Sequence, residues 1–124
     1  MTQVGLRSAE REEHDYIREQ GFRFYQPAEY RALGPEALSD QLSDEVYLTF
    51  DLDAFDSSVM SAVGTPEPGG LHWDEVTDLL DTVSRRHRIV GFDVTELAPS
   101  LGPRANAQLA AKLTYRIIGL ALRE

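Results

Sequence analysis

Three acids, Asp51, Asp53 and Asp56, follow directly on a run of β-branched and aromatic residues, Val46-Tyr47-Leu48-Thr49-Phe50. Carboxylates are hard donors suited to Mg²⁺ and Mn²⁺, and two of them spaced i, i+2 in extended backbone point to one side of the chain. The chemistry open to such a group is cation binding and cation-assisted hydrolysis. Asp also caps turns through its own carboxylate, so the same residues have a purely structural use. The next loop, Gly64-Thr65-Pro66-Glu67-Pro68-Gly69-Gly70, restricts the backbone at two prolines and frees it at three glycines. That composition suits a loop of fixed shape.

These acids need a scaffold. The five-residue apolar run is short enough for a strand buried on both faces, and in α/β sheets ligands collect beyond the carboxyl ends of strands. Arg88 to Val94 repeats the pattern, and Glu96 follows it as the Asp cluster follows Phe50. Asp93 lies within that second strand and reads as structural. Between the two, Val76, Leu79, Leu80 and Val83 fall at i, i+3, i+4, i+7, with acids early and Arg85, Arg86 and His87 late, as a helix dipole favours.

The rest of the chain alternates in the same way. Thr2 to Leu6 predicts a strand. Ser8 is a candidate N-cap for a helix over Ala9 to Gln20, and Gly21 stops it. Phe22 to Tyr25 predicts another strand. Pro27 to Asp44 predicts two short helices broken at Gly34-Pro35, with Leu38 and Leu42 toward the core. Pro103 to Leu122 predicts the last helix, its stripe formed by Leu109, Leu113, Ile117 and Leu120, and Ala105, Ala107, Ala110 and Ala111 allow close packing. Strands alternating with helices imply a mainly parallel sheet in a three-layer α-β-α fold, over one domain spanning residues 1–124.

The run T-F-D-L-D-A-F-D followed by G-T-P-E-P-G-G-L resembles the last signature of the ureohydrolase family, which includes arginases, agmatinases, guanidinobutyrases and formimidoylglutamases. V-G-L-R-S at Val4 to Ser8 is similar to a family segment that follows earlier metal-binding loops, so the resemblance covers this whole chain but only the C-terminal portion of an arginase-like fold. It implies a manganese enzyme in which two Mn²⁺ ions activate a bridging hydroxide that attacks a guanidinium or formimino carbon. It further implies that Asp51 bridges both ions, that Asp53 binds one, and that Glu96, in the D-x-x-E-x-x-P run from Asp93 to Pro99, binds the guanidinium group. A carboxylate suits that last task because it accepts two parallel hydrogen bonds from a planar guanidinium. Ser57 and Ser61 stand where the family commonly has proline. The T-P-E-P-G-G form resembles bacterial and archaeal agmatinase-type members.

Composition bounds the partners. A net charge of −9 disfavours nucleic acid and anionic membranes and suits a small cationic guanidino ligand. Without cysteine there is no disulfide framework and no thiolate zinc site. No signal peptide or long apolar run is evident, so a soluble cytoplasmic protein is expected. Lys112 is the only lysine beside eleven arginines.

Two acids do not complete a binuclear centre. The family's other ligands are histidine and an Asp-x-His-x-Asp cluster, whereas His14, His72 and His87 lie in no such motif and read as surface residues. The resemblance therefore implies an incomplete site, compatible with a truncated product, one half of a split enzyme, or a non-catalytic metal-binding or oligomerisation module. An unpaired sheet edge would favour a homo-oligomer or a complementary N-terminal half as partner. An aspartate-nucleophile phosphatase also uses a strand followed by D-x-D, but Phe55 replaces its expected Thr or Val, and Lys112 lies within an apolar helix pattern.

Overall fold

The computed structural model describes residues 1–123. Four strands and five α-helices alternate: β1 Thr2–Val4, α1 Arg11–Glu19, β2 Arg23–Tyr25, α2 Pro27–Leu33, α3 Pro35–Ser39, β3 Glu45–Asp51, α4 Trp73–Arg86, β4 Arg88–Thr95 and α5 Arg104–Ala121. All pairing is parallel, as crossover connections through helices require, and the strands form two pairs, β1 with β2 and β3 with β4.

The core lies on one side of β3 and β4. Val46, Leu48 and Phe50 turn toward it and meet α3, α4 and α5 through Leu38, Val76, Leu80, Leu113 and Ile117. The expectation of burial on both faces is not met: Glu45, Tyr47, Thr49 and Asp51 alternate with the core residues and stay exposed. Tyr47 and Thr49 are compatible with either environment, so their type did not reveal the open face. On that face the Tyr47 ring covers Gly91, where an added Cβ would stand 2.9 Å from it, and the Thr49 hydroxyl donates to Asp93 at 2.6 Å. A bulge between Val46 and Tyr47 sets this register. Val4 and Tyr25 join the main core from the other strand pair, while the alternate residue Phe24 meets His14 of α1 edge-on, with ring centroids 5.1 Å apart. Among the described helices α1 alone lies on that side, so the second helical layer covers only β1 and β2.

Helix ends follow local chemistry. α1 begins two residues later than expected because Glu10, not Ser8, precedes it, with the Glu10 amide donating to the Glu13 carboxylate at 2.9 Å. The break at Gly34-Pro35 separates α2 from α3 as predicted, with Pro35 in the first turn and Gly34 at φ 82°. In α5 only Ala110 of the four named alanines is buried.

Arg31 of α2 braces α4 and the glycine-rich loop together. Its Nε donates to Glu75 Oε1 at 2.6 Å and its Nη2 to the Gly70 carbonyl at 2.8 Å. The Arg31 hydrogen bond, helped by the His72 amide, holds the Glu75 carboxyl below its ordinary value of 4.5. A carboxyl depressed on folding adds stability that is fully present above its unfolded pKa and is lost as pH falls through the folded value. Urea denaturation of Glu75→Gln is therefore expected to show a deficit against the wild type at about pH 6 that shrinks toward about pH 3. A deficit independent of pH would refute the pairing.

Candidate metal and substrate site

Asp51 is the last residue of β3, and the chain turns at once into a single 3₁₀ turn, Leu52–Ala54. The expected i, i+2 alignment in extended backbone is thus replaced by a capped turn. The Asp53 amide donates to Asp51 Oδ1 at 3.0 Å, which folds the two carboxylates toward one another. Leu52, fully buried between them, anchors the turn in the core. Asp53 Oδ2 accepts from the Thr65 hydroxyl at 3.0 Å, tying the acid to the long loop.

Electrostatics match this convergence. Burial pushes the Asp51 carboxyl above its ordinary range, and the charges of Asp53 and Glu96 push it further. A carboxyl held up in this way is one whose charge the fold leaves uncompensated, and a bound cation would relieve it.

Asp56 has a different task. It accepts from the Ser58 hydroxyl, from the Ser58 amide at 2.9 Å, and from the Gly69 and Gly70 amides at 2.6 and 3.1 Å. These donors, the Ser58 hydroxyl foremost, hold its carboxyl far below the usual range. Asp56 fastens the loop and has no capacity left for a ligand. Gly70 has to be glycine here, since an added Cβ would lie 2.4 Å from the Asp56 amide nitrogen and 2.6 Å from the Phe55 carbonyl oxygen. The Asp56 amide donates to the Leu71 carbonyl and the Leu71 amide to the Ala54 carbonyl, so both ends of the loop return to the turn that carries Asp53.

Glu96 follows the end of β4, which pairs with β3 so that Thr95 stands opposite Asp51. Among the described residues it is the one non-glycine with positive φ, at 68°. That conformation costs about 1–2 kcal/mol in an L-residue. Strain of this sort concentrates at functional sites, where other constraints hold the side chain's position. Its Oε2 lies 3.6 Å from where a Cβ on Gly64 would stand, so the carboxylate leans over the start of the long loop.

Arg7 is the residue that sequence reasoning left without a role. Its guanidinium donates to the carbonyls of Asp53 at 2.6 Å, Gly5 at 2.9 Å and Ala54 at 3.2 Å, and its Nε stands 3.8 Å from the Glu67 carboxylate. Ser8, expected as a helix cap, instead donates to Glu67 Oε1 at 2.7 Å. The segment after β1 therefore clamps the turn carrying Asp53 against the proline-glycine loop. The available signal was an arginine at the carboxyl end of a strand in a strongly acidic chain. A cleft of about 410 Å³ opens among Arg7, Ser8, Asp51, Asp53, Thr65 and Glu67.

The histidines do not line this cleft, and His14 and His87, expected at the surface, are half-buried. His14 packs on Phe24 and His72 precedes α4. His87 is held at 2.8 Å by the Ser39 hydroxyl and at 2.8 Å by the Ser43 carbonyl. Lys112 is exposed on α5. Among the described residues, no three His, Cys, Asp or Glu side chains gather as a metal-binding group. Asp51 and Asp53 fit one side of a hard-cation site, and the described residues gather no further donors opposite them. No helix among the described residues is long and apolar enough to cross a membrane.

Known proteins resemble this chain in sequence and in fold. N(1)-aminopropylagmatine ureohydrolase of Thermus thermophilus is 38% identical over 123 residues, covering 97% of this chain and 41% of the relative. Agmatinase of Pyrococcus horikoshii is 33% identical over 119 residues, covering 96% of this chain and 42% of the relative. In structure, proclavaminate amidino hydrolase of Streptomyces clavuligerus superposes with a TM-score of 0.85 at 31% identity, over 98% of this chain and 41% of that one. The chain thus spans about two fifths of the length of the proteins it matches. The sequence profile of the arginase family matches residues 1–119, and with the parallel α/β architecture and the acids at its strand ends, this chain belongs to the arginase family.

Proposed function

We propose that this chain carries one side of the active site of a manganese-dependent ureohydrolase, acting on the C–N bond of a linear guanidino compound of the agmatine type. The carrying observation is the convergence of Asp51 and Asp53 at the carboxyl end of β3, with the strained Glu96 at the end of the neighbouring strand. The names of the relatives support the substrate class: two act on agmatine or its aminopropyl derivative.

Asp51 and Asp53 would hold Mn²⁺ from the β3 side. When bound, the metal supplies a hydroxide nucleophile at neutral pH. Glu96 accepts two hydrogen bonds from the planar guanidinium and fixes its plane. Arg7 keeps the Asp53 turn from shifting, because its guanidinium donates to the Asp53 and Ala54 carbonyls within that turn and to the Gly5 carbonyl of its own segment. The long loop walls the cleft through Thr65 and Glu67.

The test is urea release from agmatine and from arginine in the presence of Mn²⁺. The chain is assayed alone and co-expressed with the segment of the Pyrococcus horikoshii agmatinase N-terminal to its match. Urea is expected only from the co-expressed sample, with agmatine preferred, and Asp53→Ala is expected to abolish it. Equal activity of Asp53→Ala would remove the metal role assigned to that residue.

A further inference from the structure

Glu67 is the carboxylate of the cleft that the chemistry above leaves without a task. It shares the cleft with Asp51 and Asp53, on the wall formed by the long loop. Its backbone is fixed from several sides. Pro66 and Pro68 flank it and restrict the chain. The Glu67 carbonyl accepts from the Ser57 amide at 3.1 Å, and Asp56 holds the Gly69 and Gly70 amides at 2.6 and 3.1 Å. A side chain on so fixed a backbone is preorganised, which lowers the ordering cost of binding a ligand.

Only half of this carboxylate is used. Its Oε1 accepts from the Ser8 hydroxyl at 2.7 Å. The other oxygen, Oε2, stands 3.8 Å from Arg7 Nε, beyond hydrogen-bond reach, and meets no donor among the described residues. Arg7 compensates it only in part, because its terminal nitrogens are committed to the carbonyls of Gly5, Asp53 and Ala54. With the Glu67 side chain 40% exposed, the carboxylate is reachable from the cleft.

Loop geometry sets the length of a ligand that could use it. Glu96 leans over Gly64 at the start of the loop, and Glu67 lies three residues further on. Three residues of extended chain span at most about 10 Å. Between them Thr65 holds Asp53 at 3.0 Å, so the proposed reaction centre lies beside the same stretch. One small linear ligand with a cation at each end matches this layout.

We infer that Glu67 is a specificity-determining residue that receives the ammonium at the far end of the guanidino substrate, with the Ser8 hydroxyl as a second acceptor. The inference rests on the ureohydrolase reading for the guanidinium at Glu96. An ammonium carries three donors and no acceptor, and Glu67 Oε2 and the Ser8 oxygen offer it acceptors side by side. A carboxylate next to that ammonium, as in arginine, would meet Glu67 with like charge, and a compound whose far end is anionic would be refused more strongly. The substrate class is therefore guanidino compounds with a free terminal amine and no neighbouring acid.

Amide chemical shifts of the whole chain, titrated with agmatine, butylguanidine and 4-guanidinobutyrate, test the contact without requiring turnover. Agmatine is expected to move the Ser8 and Glu67 signals at concentrations at least tenfold lower than either analogue. Glu67→Gln should abolish that difference, and Glu67→Asp, which keeps the charge, should retain part of it. In the complemented enzyme, the preference for agmatine over butylguanidine in kcat/KM should fall at least tenfold in Glu67→Gln. Equal response to agmatine and butylguanidine in the wild type, or no response at Ser8 and Glu67 to any of the three, would overturn the inference. Urea release with an unaltered preference in Glu67→Gln would overturn it too while upholding the ureohydrolase reading. Agmatine-specific shifts lost in Glu67→Gln, with no urea from the complemented enzyme, would uphold the amine site and refute that reading, so the two failures are distinguishable.

Discussion

Replacing Asn106 by alanine is expected to destabilise the chain by about 3 kcal/mol, lowering the midpoint of thermal unfolding by about 10 °C. Asn106 is a buried polar residue in the first turn of α5. Its Oδ1 accepts from the amides of Ser61 and Ala62, both at 3.1 Å, and from the Ser61 hydroxyl at 3.0 Å. Its Nδ2 donates to the Val59 carbonyl at 2.9 Å. Truncation leaves two amides and a carbonyl without partners in a half-buried segment, of which the Ala62 amide is fully buried, and buried unsatisfied groups cost about 1–3 kcal/mol each before relaxation. The Ala62 carbonyl also accepts from Ala98 at 2.8 Å, so the loss reaches the segment after Glu96. Calorimetry of Asn106→Ala beside Asn106→Asp separates the effects. The aspartate keeps the acceptor but loses the donor to Val59, and it too should unfold earlier. Unchanged midpoints in both variants would show that this network does not hold the loop.

Glu96 gives the second large effect, in two opposite directions. Glu96→Gly removes the side chain at a backbone position with φ 68°, so it should raise the stability of the chain by about 1 kcal/mol. The same change removes the carboxylate proposed to grip the guanidinium, a charge-assisted pair whose loss costs about 1.5–3 kcal/mol, or about 10- to 100-fold in agmatine KM for the complemented enzyme. Glu96→Gln keeps the shape and strain and should lose binding without gaining stability. Chemical denaturation and substrate kinetics on the two variants read both quantities. A glycine variant with unchanged KM would free Glu96 of any substrate role, and one with unchanged stability would mean that the surrounding fold imposes no strain there.

The parts legible in the sequence were those governed by local period and punctuation. The stripe Val76, Leu79, Leu80, Val83 became α4, and Gly34-Pro35 divided two helices as expected. Arg88 to Val94 became β4, one residue short of its observed end at Thr95. The acids at the end of β3 were legible as well, because a strand ending in carboxylates is unusual where only apolar side chains are needed. Their geometry was not, since the turn at Leu52 depends on a buried leucine and on an Asp51 cap that alternation does not reveal. Arg7 and Asn106 escaped notice because their partners lie more than 40 residues away, at Asp53 and at Val59 to Ala62. The open face of β3 escaped for another reason: Tyr47 and Thr49 carry no mark that separates a covered strand from an uncovered one.

The central claim is that Asp51 and Asp53 form half of a metal site that other residues must complete. Electron paramagnetic resonance of Mn²⁺ titrated into the purified chain, and into the chain co-expressed with its complementary N-terminal segment, addresses it directly. The account predicts weak binding of a single ion by the chain alone, lost in Asp53→Ala, and a spin-coupled pair of ions in the complemented protein. Tight binding of two coupled ions by the chain alone, or a coupled pair that survives Asp53→Ala in the complex, would contradict it.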